Sequence, residues 1–227
     1  RYDFTKGFSN TPYGENDWAN GPDNARIANL KRMSAAVQKR QPGAYVIFEH
    51  LAATSEERQL GDAGILLWCN KNEAYCETAM GWSGSKTDFS GLFAGTSMPA
   101  GSLVGYMESH DEERTGFKAW KWGNTGVIAS TTSTNTGMSP ATGSNINLST
   151  RTKRLATNAA FFLTVPGPKM IWQFGELGYD FSINNNSDGS SYDDQDGYRT
   201  DPKPIRWDYF EDADRKGLYE TYAALLD

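Results

Sequence analysis

Four carboxylates stand at the ends of expected strands. Glu49 ends YVIFE (45–49), Asp111 follows LVGYMESH (103–110), Glu176 follows IWQFG (171–175), and Asp3 follows Arg1 in the opening RYDFTK. One such acid, taken alone, reads as a helix N-cap or a solvated loop residue. Acids at four successive strand ends read instead as groups aimed into one pocket, because a parallel α/β barrel gathers its active site at the C-terminal ends of its strands. Paired carboxylates in a cleft are the apparatus of glycoside hydrolysis, one serving as acid and the other as nucleophile or base. Asp111 stands in YMESHDEERTG (106–116), which also holds one of the chain's two histidines, His110. Hemmed in by carboxylates, that histidine admits three readings: a solvated acidic loop, a metal site, or a strand end delivering catalytic groups.

The elements that would position these residues follow from the hydrophobic pattern. ARIANLKRMSAAVQKRQPG (25–43) is apolar at 27, 30, 33, 36 and 37, a helical spacing, and it stops at Pro-Gly. AYVIFEH (44–50), GILLW (64–68), SLVGYMES (102–109) and KMIWQF (169–174) are short apolar runs of the kind a strand buried on both faces shows. TSEERQLGD (54–62) looks like a capping box at Ser55, TKRLATNAAFFLTVPG (152–167) reads as a helix closed by Pro-Gly, and 209–227 reads as a terminal helix. Residues 1–5 read as a further strand. Strands of the buried type alternating with helices predict a parallel sheet with helical crossovers, hence an α/β fold. The Ser/Thr/Asn/Gly-rich stretches 124–150 and 182–192 read as long loops, and Trp82, Trp120 and Trp122 are placed in loops as sugar platforms or as buried anchors.

Composition narrows the partners. A net charge of −6 argues against nucleic acid or an anionic membrane, since both need clustered Lys and Arg. No run of eighteen apolar residues predicts a transmembrane helix. Aromatic residues make up 13% of the chain, and the flat faces of Trp and Tyr suit stacking on sugar rings. Cys69 and Cys76, seven apart, are too few for a zinc site; a local disulfide and two thiols both stand.

The motifs themselves resemble the α-amylase family, glycoside hydrolase family 13. RYDFTK is similar to its Arg-x-Asp-x-x-Lys segment, FEH (48–50) to the strand end that carries its acid, ESHD (108–111) to its Asn/Ser-His-Asp segment, and GPKMIWQFGELG (167–178) to its Gly-x-Pro-x-Ile-Tyr-x-Gly-x-Glu segment. They occur in the family's order and span essentially the whole chain. The resemblance implies a partial TIM (β/α)8 barrel, roughly strands 4–8 with their helices, residues 1–227 being the C-terminal part of a catalytic barrel whose N-terminal half is absent.

Carried over residue by residue, the resemblance implies that Asp3 is the nucleophile, Glu49 the general acid/base, and Asp111 the group that binds sugar hydroxyls and holds the distorted ring. Arg1 would keep Asp3 ionised, and His110 would donate to a hydroxyl of the same sugar. Lys6 would touch a sugar beyond the cleavage point or stand as a solvated lysine. His50 would line the acceptor side or pack inside a loop. Glu112, Glu113 and Arg114 read as a helix-start charge cluster, and Glu176 as an ion-pairing strand-end residue. Gly7 stands where the family often has His.

The implied activity is a retaining α-glucan hydrolase. A transglycosylase or exo-α-glucosidase of the same family, or a non-catalytic carbohydrate-binding fragment, are the alternatives. The implied substrate is an α-glucan or malto-oligosaccharide. No metal or cofactor is expected within this stretch, and calcium is an expectation only for a full-length parent. A secreted or periplasmic setting, an isolated chain without activity, and a homo-oligomer formed through exposed sheet edges complete the expectations.

Overall fold

The computed structural model describes residues 1–82, 84, 86–92, 97–124 and 146–227. They fall into two compact units. The first comprises Arg1–Asn70, Ser90–Tyr106 and Val165–Met170, and the second Lys71–Phe89, Met107–Thr164 and Ile171–Asp227.

The first unit holds the sheet. Its strands β1 (Ile47–Phe48), β2 (Leu66–Asn70), β3 (Leu103–Tyr106) and β4 (Lys169–Met170) are all parallel, in the order β1-β2-β3-β4, with Ile47 opposite Leu66, Cys69 opposite Gly105 and Tyr106 opposite Met170. The α/β class with a parallel sheet is therefore as the sequence predicts, but β1, β3 and β4 are shorter than the apolar runs that announce them, and β2 is shifted two residues beyond its run. The expected strand at 1–5 is reduced to one parallel bridge, Tyr2 to Phe48. Phe4 there takes a left-handed φ of 42°, and Thr5–Gly7 winds into a 3-10 turn that cannot pair with a strand.

Side chains alternate across the sheet. Phe48, Leu67 and Leu103 face Ile27 and Leu30 of α1 (Asn24–Arg40) and Leu60 of α2 (Thr54–Gly61) in one buried cluster. Trp68, Val104 and Tyr106 form a second cluster with Ile47, Leu66 and Met170. Both faces are apolar, the pattern of a parallel sheet rather than of a half-solvated antiparallel one. Leu30, Phe48, Leu60 and Leu67 are fully buried, each worth about 1.5–3 kcal/mol relative to exposure.

Helix α1 starts where Asp23 accepts from the Ala25 and Arg26 amides and stops at Arg40, ahead of Pro42. Helix α2 has Ala53 at its N-cap and no side-chain cap, so Ser55 sits in the first turn and the expected capping box is absent.

The second unit is helical: α3 (Asn72–Met80), α4 (Thr115–Trp122), α5 (Leu148–Thr164) and α6 (Ala213–Leu226), with 3-10 turns at Gly175–Leu177 and Trp207–Glu211. Helix α5 ends before Pro166, and α6 is capped by Asp212, which accepts from the Asp214 and Arg215 amides. Neither α3 nor α4 was anticipated as an element, although the Glu112, Glu113 and Arg114 cluster marks the start of α4, and Trp120 and Trp122 lie on α4 rather than in a loop. Trp82 is in a loop, its Nε1 donating to the Trp122 carbonyl at 3.1 Å. The start of α4 lies hard against residues 178–179: a Cβ added at Gly116 would overlap the carbonyl oxygen of Tyr179. Within the loop at 182–192, Asn185 and Tyr192 form an antiparallel bridge. Most of the other expected loop, 125–145, lies outside the described residues.

Cys69 and Cys76 are not bridged, and burial pushes the Cys76 thiol far up. No helix among the described residues is long and apolar enough to cross a membrane.

Candidate active site

In the first unit the β1 strand end and the opening segment are laced together by backbone. Tyr2 N donates to Ile47 O (2.9 Å), Glu49 N to Tyr2 O (3.1 Å) and Thr5 N to Glu49 O (2.8 Å). This lacing sets Asp3 beside Glu49. The Arg1 guanidinium lies between the two carboxylates, Nη2 at 2.9 Å from Asp3 Oδ1 and Nη1 at 2.9 Å from Glu49 Oε2. A carboxylate oxygen of Asp3 and one of Glu49 approach within 4.8 Å. The Arg1 guanidinium also sits 4.6 Å from the ring centroid of Trp68, a flat apolar floor that fixes its plane. Exposure divides the two acids: the Asp3 side chain is 62% exposed and that of Glu49 only 10%.

Lys6 and His50 belong to the same unit but have different surroundings. Lys6 Nζ donates to Asn20 Oδ1 (2.9 Å) and lies 5.6 and 5.8 Å from the ring centroids of Phe4 and Trp18. Those two rings stand edge to face, 47% and 66% exposed, an apolar platform whose members each directly follow an acid, Asp3 and Asp17, in sequence. Trp18 was not singled out from the sequence, although a Trp in the polar stretch GENDWANGPD was the available signal.

His50 is 1% exposed, and both ring nitrogens are engaged: Nδ1 is 2.9 Å from Thr5 Oγ1 and Nε2 is 2.9 Å from Glu56 Oε1. Glu56 is fully buried and meets Arg26 through two bonds, Nε to Oε1 (2.7 Å) and Nη2 to Oε2 (2.8 Å). Burial outweighs the neighbouring Glu56 carboxylate and lowers the His50 pKa.

The second unit carries the ESHDEER run, and most of it is occupied by structure. Glu108 is buried and caps α4, its Oε1 accepting from the Thr115 amide at 2.7 Å and from the Thr115 hydroxyl. Burial raises the Glu108 pKa, with Arg114 opposing. Glu113 accepts from the Ser182 hydroxyl (2.5 Å) and the Ile183 amide (3.1 Å), and buried Arg114 is the N-cap residue of α4 and donates to the Ser109 carbonyl. The helix-start reading of this cluster fits, with Glu108 added as the cap that sequence reasoning missed.

Asp111 is the most exposed member of the run, its side chain 54% exposed against 34% for His110, with Glu112 and Glu113 half-buried. His110 Nε2 lies 3.5 Å from Asp111 Oδ2, and Arg199 donates to the Asp111 carbonyl (2.6 Å) and to Oδ1 (3.3 Å). Glu176 makes no ion pair among the described residues. It lines an open cavity of about 590 Å³ with Trp172, Trp207 and Tyr222, and burial raises its pKa. Trp120 lines a second cavity, of about 410 Å³, with Phe117, Phe181, Tyr192 and Tyr209.

Arg1, Asp3 and Glu49 are thus gathered in one unit, and His110 and Asp111 in the other. No family model and no curated protein matches this chain.

Proposed function

We propose that this chain carries the strand-end acids of a retaining α-glucan hydrolase of the α-amylase type, its four parallel strands and the Tyr2 segment being the later strands of a TIM-type barrel. The reading rests on Arg1 lying between two carboxylates whose oxygens approach within 4.8 Å. Retaining glycosidases hold their two carboxyls about 5–5.5 Å apart, close enough for one to attack while the other protonates, whereas inverting enzymes leave room for a water. A sheet apolar on both faces suits a barrel wall, with helices outside and packed side chains within.

In this mechanism exposed Asp3 attacks the anomeric carbon as Glu49 protonates the departing glycosidic oxygen. Glu49, now a carboxylate, then takes a proton from the water that releases the sugar from Asp3. Arg1 donates to Asp3 Oδ1 and to Glu49 Oε2, so the proton that Glu49 delivers is carried on its other oxygen, Oε1. Taken by themselves, His110 and Asp111 of the second unit present a donor and an acceptor suited to sugar hydroxyls, and Phe4 and Trp18 of the first offer a stacking face beside Lys6.

In the full-length protein containing this chain, Glu49→Gln keeps the shape of the acid but cannot donate the proton. Starch hydrolysis should fall by at least about 10²–10⁴-fold, the usual worth of general acid catalysis, while oligosaccharide binding by calorimetry persists. Retention of more than about a tenth of wild-type turnover on unactivated glucan would exclude the assignment.

A further inference from the structure

We propose that Thr5, His50, Glu56 and Arg26 act as a positioning device that fixes the separation of the Asp3 and Glu49 carboxyls; what that separation serves rests on the hydrolase reading above. These four side chains form one unbroken buried chain of hydrogen bonds. Arg26 Nε and Nη2 grip Glu56, Glu56 Oε1 meets His50 Nε2, and His50 Nδ1 meets Thr5 Oγ1. Both ends act on backbone at the site. The Thr5 amide donates to the Glu49 carbonyl at 2.8 Å, and Arg26 Nη1 donates to the Lys6 carbonyl at 2.8 Å. Thr5 is two residues from Asp3 and His50 is next to Glu49, so the chain of bonds ties together the two segments that carry the acids.

Proton accounting sharpens the picture. Glu56, held ionised by Arg26, only accepts, so His50 Nε2 must donate to it. Thr5 has one hydroxyl proton and two acceptors in reach, His50 Nδ1 and the Glu49 carbonyl. In the neutral ring Nδ1 takes that proton, and the Glu49 carbonyl keeps the Thr5 amide at 2.8 Å.

Backbone strain gives an independent sign. Among the described residues of the first unit three non-glycine residues have positive φ, and all three touch this network. Phe4 (42°) lies between Asp3 and Thr5, Leu51 (51°) follows His50, and the carbonyl of Ala19 (52°) accepts from Arg26 Nη1. Left-handed conformations in such residues persist only where the surroundings over-determine them. A buried ion pair is also a poor way to gain stability compared with apolar packing, so its contribution here is geometric.

The test is Thr5→Val, near-isosteric but without the hydroxyl, against Thr5→Ser, which restores it. In the full-length protein Thr5→Val should lower kcat on soluble starch by about 10–10²-fold, with KM within about twofold, as expected for misplacement of reacting groups. Thr5→Ser should return to within about threefold of wild type. A Val variant with unchanged kcat, or a Ser variant as impaired as Val, would overturn the proposal.

A second measurement needs no glycan: carbon NMR titration of the Asp3 and Glu49 carboxyls in this chain. Thr5→Val should move both midpoints, and unmoved midpoints overturn the proposal even where turnover falls. If midpoints move but no variant or wild type turns over starch, the hydrolase reading fails and the positioning role stands.

Discussion

The first unit contains two arginines that each engage carboxylates through paired short bonds, one at the surface and one in the interior. Arg1, with its side chain 36% exposed, spans Asp3 and Glu49; Arg26, with none, grips Glu56. The bonding is alike, and the solvent is not. Around Arg1 water reaches the guanidinium and the Asp3 carboxylate and screens their pairing, while Glu49 lies mostly covered beneath them. Around Arg26 every polar atom must find a partner inside the protein, and it does: Lys6, Ala19 and Gly21 carbonyls complete the shell of the guanidinium. The same bonding thus meets solvent in one place and a closed polar shell in the other.

The largest effect should come from unbalancing the interior pair. Arg26→Met leaves Glu56 buried without its counter-charge and should cost about 3–5 kcal/mol of stability, read by urea unfolding. The double variant Arg26→Met/Glu56→Leu should recover much of that loss, because removing both charges also removes the desolvation penalty. If the single variant costs less than about 1 kcal/mol, the interior arginine is no different from the surface one.

A smaller effect is expected next door at Glu57. Its carboxylate accepts from the Ala52 amide at 3.3 Å, and burial pushes its pKa up to about 7. Glu56 is shifted the opposite way, its Arg26 bonds and the Asp23 amide outweighing burial. The signs therefore oppose. A raised carboxyl contributes stability that is full below its unfolded value and is lost as pH rises toward 7. A lowered one contributes above its unfolded value and is lost as pH falls. Glu57→Gln should accordingly stabilise the chain by about 1–3 kcal/mol at pH 8 and change little at pH 4. Equal urea midpoint shifts at both pH values would contradict this.

The smallest stability effect belongs to Arg1. Arg1→Ala should change unfolding free energy by less than about 1 kcal/mol, since the guanidinium is partly exposed and Asp3 is mostly solvated. A loss comparable with that of Arg26→Met would erase the contrast between the two sites.

What the sequence made legible follows the same division. Phe48 and Glu49 could be placed because an apolar run ending in an acid has a period and a boundary. The parallel order of β1 to β4 followed from the buried character of those runs. Arg26 was invisible as a core residue: within the helix pattern it is merely a polar position, and its burial depends on Glu56, thirty residues away. His50 was open between a sugar contact and a packed residue for the same reason, since nothing local says which way its ring turns.

Helices α3 and α4 were missed because NEAYCETAM and TGFKAWKW are short, and the second opens with Thr-Gly, poor helix formers that a Glu108 cap and close packing override. Strand β4 was read too long, because the apolar character of IWQF continues after pairing ends and Phe174 turns left-handed at φ 56°. Apolar character reports burial, and only the backbone decides whether a buried segment is extended.

Gly116 has a consequence for how this chain can vary. Its α-hydrogen occupies the space that any larger group would need beside the Tyr179 carbonyl, so the first turn of α4 and the bend at 178–179 behave as welded parts. The hairpin around Asn185 and Tyr192 closes through its own bridge and is also held from α4, the Tyr192 ring lying 5.9 Å from that of Phe117. Across the weld there is no slack. A single methyl at 116 must push the helix off the bend, and with it the Thr115 amide that Glu108 holds, so a change of one carbon would be transmitted to the segment bearing His110 and Asp111.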